Sequence, residues 1–174
     1  MTTKTLLTDL YQLTMNAAYG DNGKDDKATF DLFIRKLPAD WGYFIANGIE
    51  DAIDYATQLQ FTDEDRAYLS GLHLFSDDYI ASLQDFHFAG DIYAVREGTP
   101  ITANTPLLRV TGKRTQGQFL ETALLNIINF QTLIATKANR IVRAAGDAKI
   151  VDFGLRRAQE EDAAMKGARA AYLG

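Results

Sequence analysis

The chain contains no cysteine, which excludes disulfides and thiolate chemistry and fits a reducing, cytoplasmic setting. It also lacks any apolar run long enough to span a bilayer. The opening MTTKTLLTDLYQLTM has too few consecutive apolar residues for a secretory leader. A soluble protein that meets no membrane is expected. Of the two histidines, His73 and His87, neither has a second ligand at metal spacing, so no metal site is expected from them. A P-loop, a dinucleotide fingerprint and a nucleophile elbow are all missing. So is a basic surplus: the net charge is −5, which argues against a nucleic-acid partner. Internal repeats and low-complexity segments are absent as well.

What the sequence does hold is a core. Apolar residues make up 47% of it and aromatics 11%, and the charge is too moderate for disorder. Its 174 residues fit one domain, or a small domain plus part of another. Charge is unevenly spread. Residues 1–136 carry 10 Lys/Arg against 18 Asp/Glu, a balance of −8, while residues 137–174 carry 8 against 5, a balance of +3. A basic surplus confined to one end suggests a local anion site.

Periodicity predicts a helix over 5–19, stopped by Gly20, then strands over 28–36 and 42–47. A helix follows over 48–59. Another is signalled after Thr62 by three acidic residues in its first turn and by Gly71 at its end. SDDYIASLQDF repeats that pattern. Strands are expected over 91–98 and 106–112, and a nearly unbroken helix from Thr115 to Ala145, closed by Gly146. On that helix Phe119, Leu120, Ala123, Leu124, Ile127, Phe130, Leu133 and Ile134 form a broad apolar face. Residues 148–153 read as a short strand of the parallel kind, and EDAAMKGARAAYLG as a last helix. The pattern is an α+β layer domain over roughly 1–112, followed by helix, strand, helix, as in the first unit of a parallel sheet or barrel.

The chemistry concentrates in IVDFGLRRAQ (150–159). A parallel strand delivers such a turn at its carboxyl edge, where α/β folds place ligands. Gly154 permits a tight turn or close ligand approach. Phe153 offers a flat face, and Arg156 and Arg157 can grip phosphate or carboxylate in bidentate bonds. The alternative reading makes Phe153 core and the arginines solvated. Against it, cations at a helix start oppose the macrodipole. Lys137 and Arg140 share a helix face, as a site or as a solvated stripe. Asp9 and Tyr11 have ordinary structural explanations.

Seven segments carry a resemblance: LLTDLYQLTM, FDLFIRKLP, GYFIANGIEDAIDY, REGTPITANTPLLRVTG, ETALLNIINFQTLIATKANRI, DFGLRRAQ and DAAMKGARAAYLG, in that order. Together, from Leu6 to Gly174, they resemble the N-terminal portion of the nicotinate phosphoribosyltransferases. The resemblance implies a type II phosphoribosyltransferase fold: an open-faced α+β sandwich over 1–112, then the start of an irregular α/β barrel over 113–174. It implies transfer of phosphoribosyl from phosphoribosyl pyrophosphate to nicotinate in NAD salvage, with Mg²⁺ and coupled hydrolysis of ATP, in a homodimer with a shared active site. In that picture Phe153, beside Gly154, stacks on the pyridine ring. Arg156 and Arg157 meet the nicotinate carboxylate and the phosphates. Asp9 and Tyr11 close the ring pocket from the neighbouring subunit, and Thr136, Lys137 and Arg140 lie near the site.

One residue departs from the family pattern: Glu160 stands where a glycine usually follows Arg-Arg-Ala-Gln. Members of the family are far longer, so an N-terminal fragment, inactive alone, is expected. The other reading is a short, non-catalytic interaction module that keeps the sandwich and the dimer surface.

Overall fold

The computed structural model describes residues 4–174. The first helix, α1 (Leu10–Asp21), starts later than its periodicity suggests. Asp9 is extended (φ −79°, ψ 143°), and the Thr5 hydroxyl donates to the Gln60 carbonyl at 2.6 Å. Gly20 does not stop the helix; the left-handed turn falls at Gly23, φ +61°. Next come β1 (Lys27–Phe33), β2 (Phe44–Ile45) and α2 (Ile49–Thr57). Gly48 opens α2 at φ +83°, and a Cβ there would lie 3.0 Å from the Ile127 carbonyl oxygen, so only glycine fits without strain. The N-terminal signals of α3 (Asp63–Gly71) are realised in full, while Gly71 is its last residue and the left-handed position falls at His73, φ +53°. The Thr62 hydroxyl accepts from the Asp65 N–H at 3.1 Å, and the Asp65 carboxylate accepts from the Thr62 N–H at 2.9 Å, a reciprocal cap. Ser76 caps α4 (Asp77–Ser82) one way only, its hydroxyl accepting from the Tyr79 N–H at 3.2 Å.

Strands β3 (Asp91–Ala94), β4 (Pro100–Ile101) and β5 (Pro106–Lys113) follow. They form two small sheets: three strands in the order β1-β5-β3, and an antiparallel pair of β2 with β4. The expected long helix is two, α5 (Arg114–Phe119) and α6 (Glu121–Ala145), with Leu120 between them. Gly146 ends α6 at φ +59°. The last helix is α7 (Glu160–Leu173). None of the described helices is long and apolar enough to cross a membrane.

The strand expected over 148–153 is not formed. A parallel strand needs a neighbour for its N–H and C=O groups, and no described strand pairs with this segment. Its apolar side chains therefore lie open, Val151 at 56% and Phe153 at 81% exposure.

The chain divides into two compact units. One takes in the described part of Met1–Asp31, with Ala52–Tyr93 and Arg109–Leu125. Its core includes Leu13, Leu69, Leu83 and Leu120, with Phe61, Phe86 and Phe119 in mutual ring contact at 5.4–5.5 Å. The other takes in Leu32–Asp51, Ala94–Leu108 and Asn126–Gly174. There Ile45, Ala135 on α6 and Ala170 on α7 form a buried cluster, with Tyr43 and Ile134 packed on it. The broad apolar face predicted for α6 changes character along its length. Ala123, Leu124 and Ile128 are buried, but beyond them the buried positions include Gln131, Thr132 and Thr136, while Leu133 is 37% exposed.

Candidate functional site

In the second unit, residues 152–160 form a succession of tight turns held by their own backbone. The Asp152 carboxylate accepts from the Gly154 N–H at 2.7 Å. The Gly154 carbonyl accepts from the Arg157 N–H at 2.8 Å, closing a 3₁₀ turn (Leu155–Arg157), and the Ala158 carbonyl accepts from the Glu160 N–H at 3.2 Å. With the backbone so occupied, the side chains face outward: Phe153, Leu155, Arg156 and Arg157 are all exposed. No described carboxylate pairs with either guanidinium. Of the two sequence readings, this geometry excludes Phe153 as core. Gly154 has an ordinary helical backbone (φ −77°); a Cβ there would lie 2.9 Å from the Asp152 carboxylate, so its smallness serves the turn. Glu160 sits at φ +73°, a left-handed conformation that favours glycine.

Thr136, also in the second unit, is fully buried. Its hydroxyl donates to the Thr132 carbonyl at 2.6 Å and accepts from the Ile45 N–H at 2.8 Å, so its visible work is to join α6 to β2. Lys137 beside it is exposed. Arg140 is exposed too, but held: its guanidinium lies 4.9 Å from the Trp41 ring centroid and donates to the Asp40 carbonyl at 3.2 Å. Such a stack fixes a long cation at little entropic cost. The sequence contains one tryptophan, and that rarity was the signal available for this clamp.

Asp9 and Tyr11 belong to the first unit. The Asp9 carboxylate accepts from the Thr122 hydroxyl at 2.9 Å. The Tyr11 hydroxyl donates to the Glu121 carboxylate at 3.3 Å and accepts from the Gln12 amide at 2.8 Å, and that amide also donates to Glu121 at 2.8 Å. Partial burial, and then the Glu121 charge, push the Tyr11 phenol above its ordinary pKa. Sequence reasoning did not single out Gln12 or Glu121. An acid opening a helix is too common to mark a site, and Gln12 carries no charge.

The second unit also holds an unanticipated ion triad. Arg169 on α7 donates to Glu50 at 2.6 Å and to Glu97 at 2.7 Å. The Glu97 carboxylate also accepts from the N–H groups of Ile49 and Glu50 at 2.8 and 3.3 Å, capping α2 from a distant part of the chain.

Mixed α/β structure with two small sheets first defines a class, an α/β scaffold, here with a turn that exposes Phe153 beside two arginines without a described ion partner. The crystal structure of human nicotinic acid phosphoribosyltransferase superposes with a TM-score of 0.86 at 31% identity, over 95% of this chain and 34% of that one. The fold is shared, at 23% identity and a TM-score of 0.77, with a nicotinate-nucleotide pyrophosphorylase from Pyrococcus furiosus. A nicotinate phosphoribosyltransferase of Bacillus subtilis is 46% identical over 97% of this chain. Residues 6–129 match the nicotinate phosphoribosyltransferase N-terminal domain. The chain belongs to the nicotinate phosphoribosyltransferase family. It spans 35% of the length of the Bacillus relative.

Proposed function

We propose that this chain supplies the N-terminal part of a nicotinate phosphoribosyltransferase of NAD salvage. That enzyme moves phosphoribosyl from phosphoribosyl pyrophosphate to the pyridine nitrogen of nicotinate, releasing pyrophosphate, with ATP hydrolysis coupled to the transfer. The carrying observation is the self-supported turn over 152–158, which holds an exposed Phe153 beside two guanidiniums with no described ion partner. A flat aromatic acid and a polyanionic sugar phosphate call for that combination: one stacking face and fixed cations.

In this reading Phe153 stacks on the ring. Arg156 and Arg157 hold the carboxylate and stabilise the charge that develops as pyrophosphate departs, while nitrogen attacks an oxocarbenium-like carbon. Such catalysis is positioning and electrostatics. Lys137 and the clamped Arg140 add cations nearby, and Thr136 contributes by fixing the helix that carries them. Asp9 and Tyr11 close the ring pocket of a second copy in a cytoplasmic homodimer. The domain division is sandwich over 1–112 and barrel start over 113–174, with residues 148–153 becoming a barrel strand once neighbours are supplied.

The residues present do not fit a protein-held magnesium. No three carboxylate, histidine or cysteine side chains converge among the described residues, and Asp152 is turned onto the Gly154 N–H.

The test is Arg156→Ala in the full-length enzyme, with nicotinate mononucleotide formation followed against nicotinate concentration. Removing a charge-assisted bond of about 1.5–3 kcal/mol should lower kcat/KM at least about tenfold. Unchanged kcat/KM would overturn the assignment. The 174-residue chain assayed alone should form no product.

A further inference from the structure

We propose that Asp152 is a positioning residue: its carboxylate sets, by shape and not by charge, the turn that presents Phe153 and the two arginines. The inference rests on the reading of that turn as part of the nicotinate pocket, and deepens it by naming what holds the turn ready.

Asp152 is exposed, yet its side chain is committed. The carboxylate accepts from the Gly154 N–H at 2.7 Å, two residues on, which closes a ring in the manner of an Asx turn. Phe153 is the residue enclosed by that ring, so the ring fixes the backbone from which the aromatic side chain leaves. Gly154 serves the next turn as well, because its carbonyl accepts from the Arg157 N–H at 2.8 Å. Arg156 lies inside this second turn. The aromatic and the guanidiniums thus share one joint, Gly154, and Asp152 is the side chain that ties it.

The identity of residue 154 points the same way. Its φ of −77° suits any residue, and what opposes a side chain there is Asp152 itself. A Cβ would lie 2.9 Å from one carboxylate oxygen and 3.7 Å from the other, and its three nearest atoms all belong to that carboxyl group. The carboxylate would have to swing away and give up its bond. A turn that must form before Phe153 and Arg156 can meet a ligand together weakens binding by the fraction of time it is unformed. Holding it ready matters most where the segment is open to solvent, as residues 151–153 and 155–157 are.

The experiment uses the full-length enzyme, with nicotinate varied at saturating phosphoribosyl pyrophosphate. Asp152→Ala should raise KM for nicotinate about tenfold with a smaller effect on kcat. Two variants part shape from charge. Asp152→Asn keeps an acceptor oxygen at the same reach and should stay near wild type. Asp152→Glu keeps the charge on a longer arm and should resemble Asp152→Ala; it also stands in for that variant if alanine abolishes the melting transition. Gly154→Ala should be impaired alone but add nothing to Asp152→Ala, since the atoms its Cβ would strike are gone. The proposal falls if Asp152→Ala leaves KM unchanged, if Asp152→Glu is milder than Asp152→Asn, or if the effects of Asp152→Ala and Gly154→Ala multiply. Phe153→Ala separates the two levels: an unchanged KM removes the turn from the pocket and the proposal with it. A raised KM in Phe153→Ala beside multiplying effects leaves the pocket standing and removes only Asp152.

Discussion

The backbone N–H of Ile45 donates to the Thr136 hydroxyl at 2.8 Å, so a helix side chain takes the position of a neighbouring strand. The arrangement continues one step along. The Asn47 N–H donates to the Thr132 hydroxyl at 3.2 Å, and that hydroxyl donates to the Asn47 carbonyl at 3.1 Å. Two residues of extended chain advance about 6.7 Å and four residues of helix about 6 Å, so threonines at i and i+4 match alternate strand residues. On its other side Ala46 exchanges hydrogen bonds with Thr99 and Gly98, continuing the β2-β4 pairing.

Thr136→Val keeps the shape and removes the acceptor. The buried Ile45 N–H is then left unsatisfied, at a cost of about 1–3 kcal/mol. Hydrogen–deuterium exchange should show lost protection at Ile45 and a lowered urea midpoint, with Thr136→Ser much milder. Wild-type protection in the valine variant would show that this bond contributes nothing.

How far the sequence could be read follows from where each signal lives. The cap of α3 is local: Thr62 and Asp65 satisfy each other within one turn, and the helix was legible at once. The segment 148–153 has strand composition but no described strand beside it, and pairing cannot be read from composition. Thr136 stands in a family motif, yet its hydroxyl answers the Ile45 N–H, ninety-one residues away in sequence. Phe153, Arg156 and Arg157 were legible as residue types, but not their exposure. Glu121 was invisible, because its meaning comes from Tyr11 and Gln12 across more than a hundred residues.

Glu160→Gly should stabilise the protein. Glu160 occupies φ +73°, where a side chain costs about 1–2 kcal/mol. Glycine removes that strain at the loss of one favourable charge in the first turn of α7. A rise in melting temperature is expected for glycine and none for Glu160→Ala. Equal behaviour of the two variants would show that the backbone here carries no strain.

Acid should loosen the second unit through Glu97. Burial pushes its carboxyl up, but the Arg169 guanidinium and the N–H groups of Glu50 and Ile49 outweigh burial and hold it below its ordinary value. Because the folded pKa is the lower one, this contribution is complete above the ordinary glutamate value of about 4.3. It is lost as pH falls through the folded value. Urea midpoints measured from neutral pH into the acid range should fall more steeply for the wild type than for Glu97→Gln. Parallel curves would remove Glu97 from the acid response.

The hydroxyls that α6 lends to β2 also bear on solubility. A short strand with a free edge invites a stranger's chain to add itself, the step from which cross-β aggregates grow. Here β4 and its flanks occupy one edge of β2, and Thr132 and Thr136 occupy the other. A valine at either threonine would leave an N–H of that edge without a partner beneath α6, so that any lifting of the helix would bare a strand edge, and the harm would first be seen as turbidity in concentrated solution.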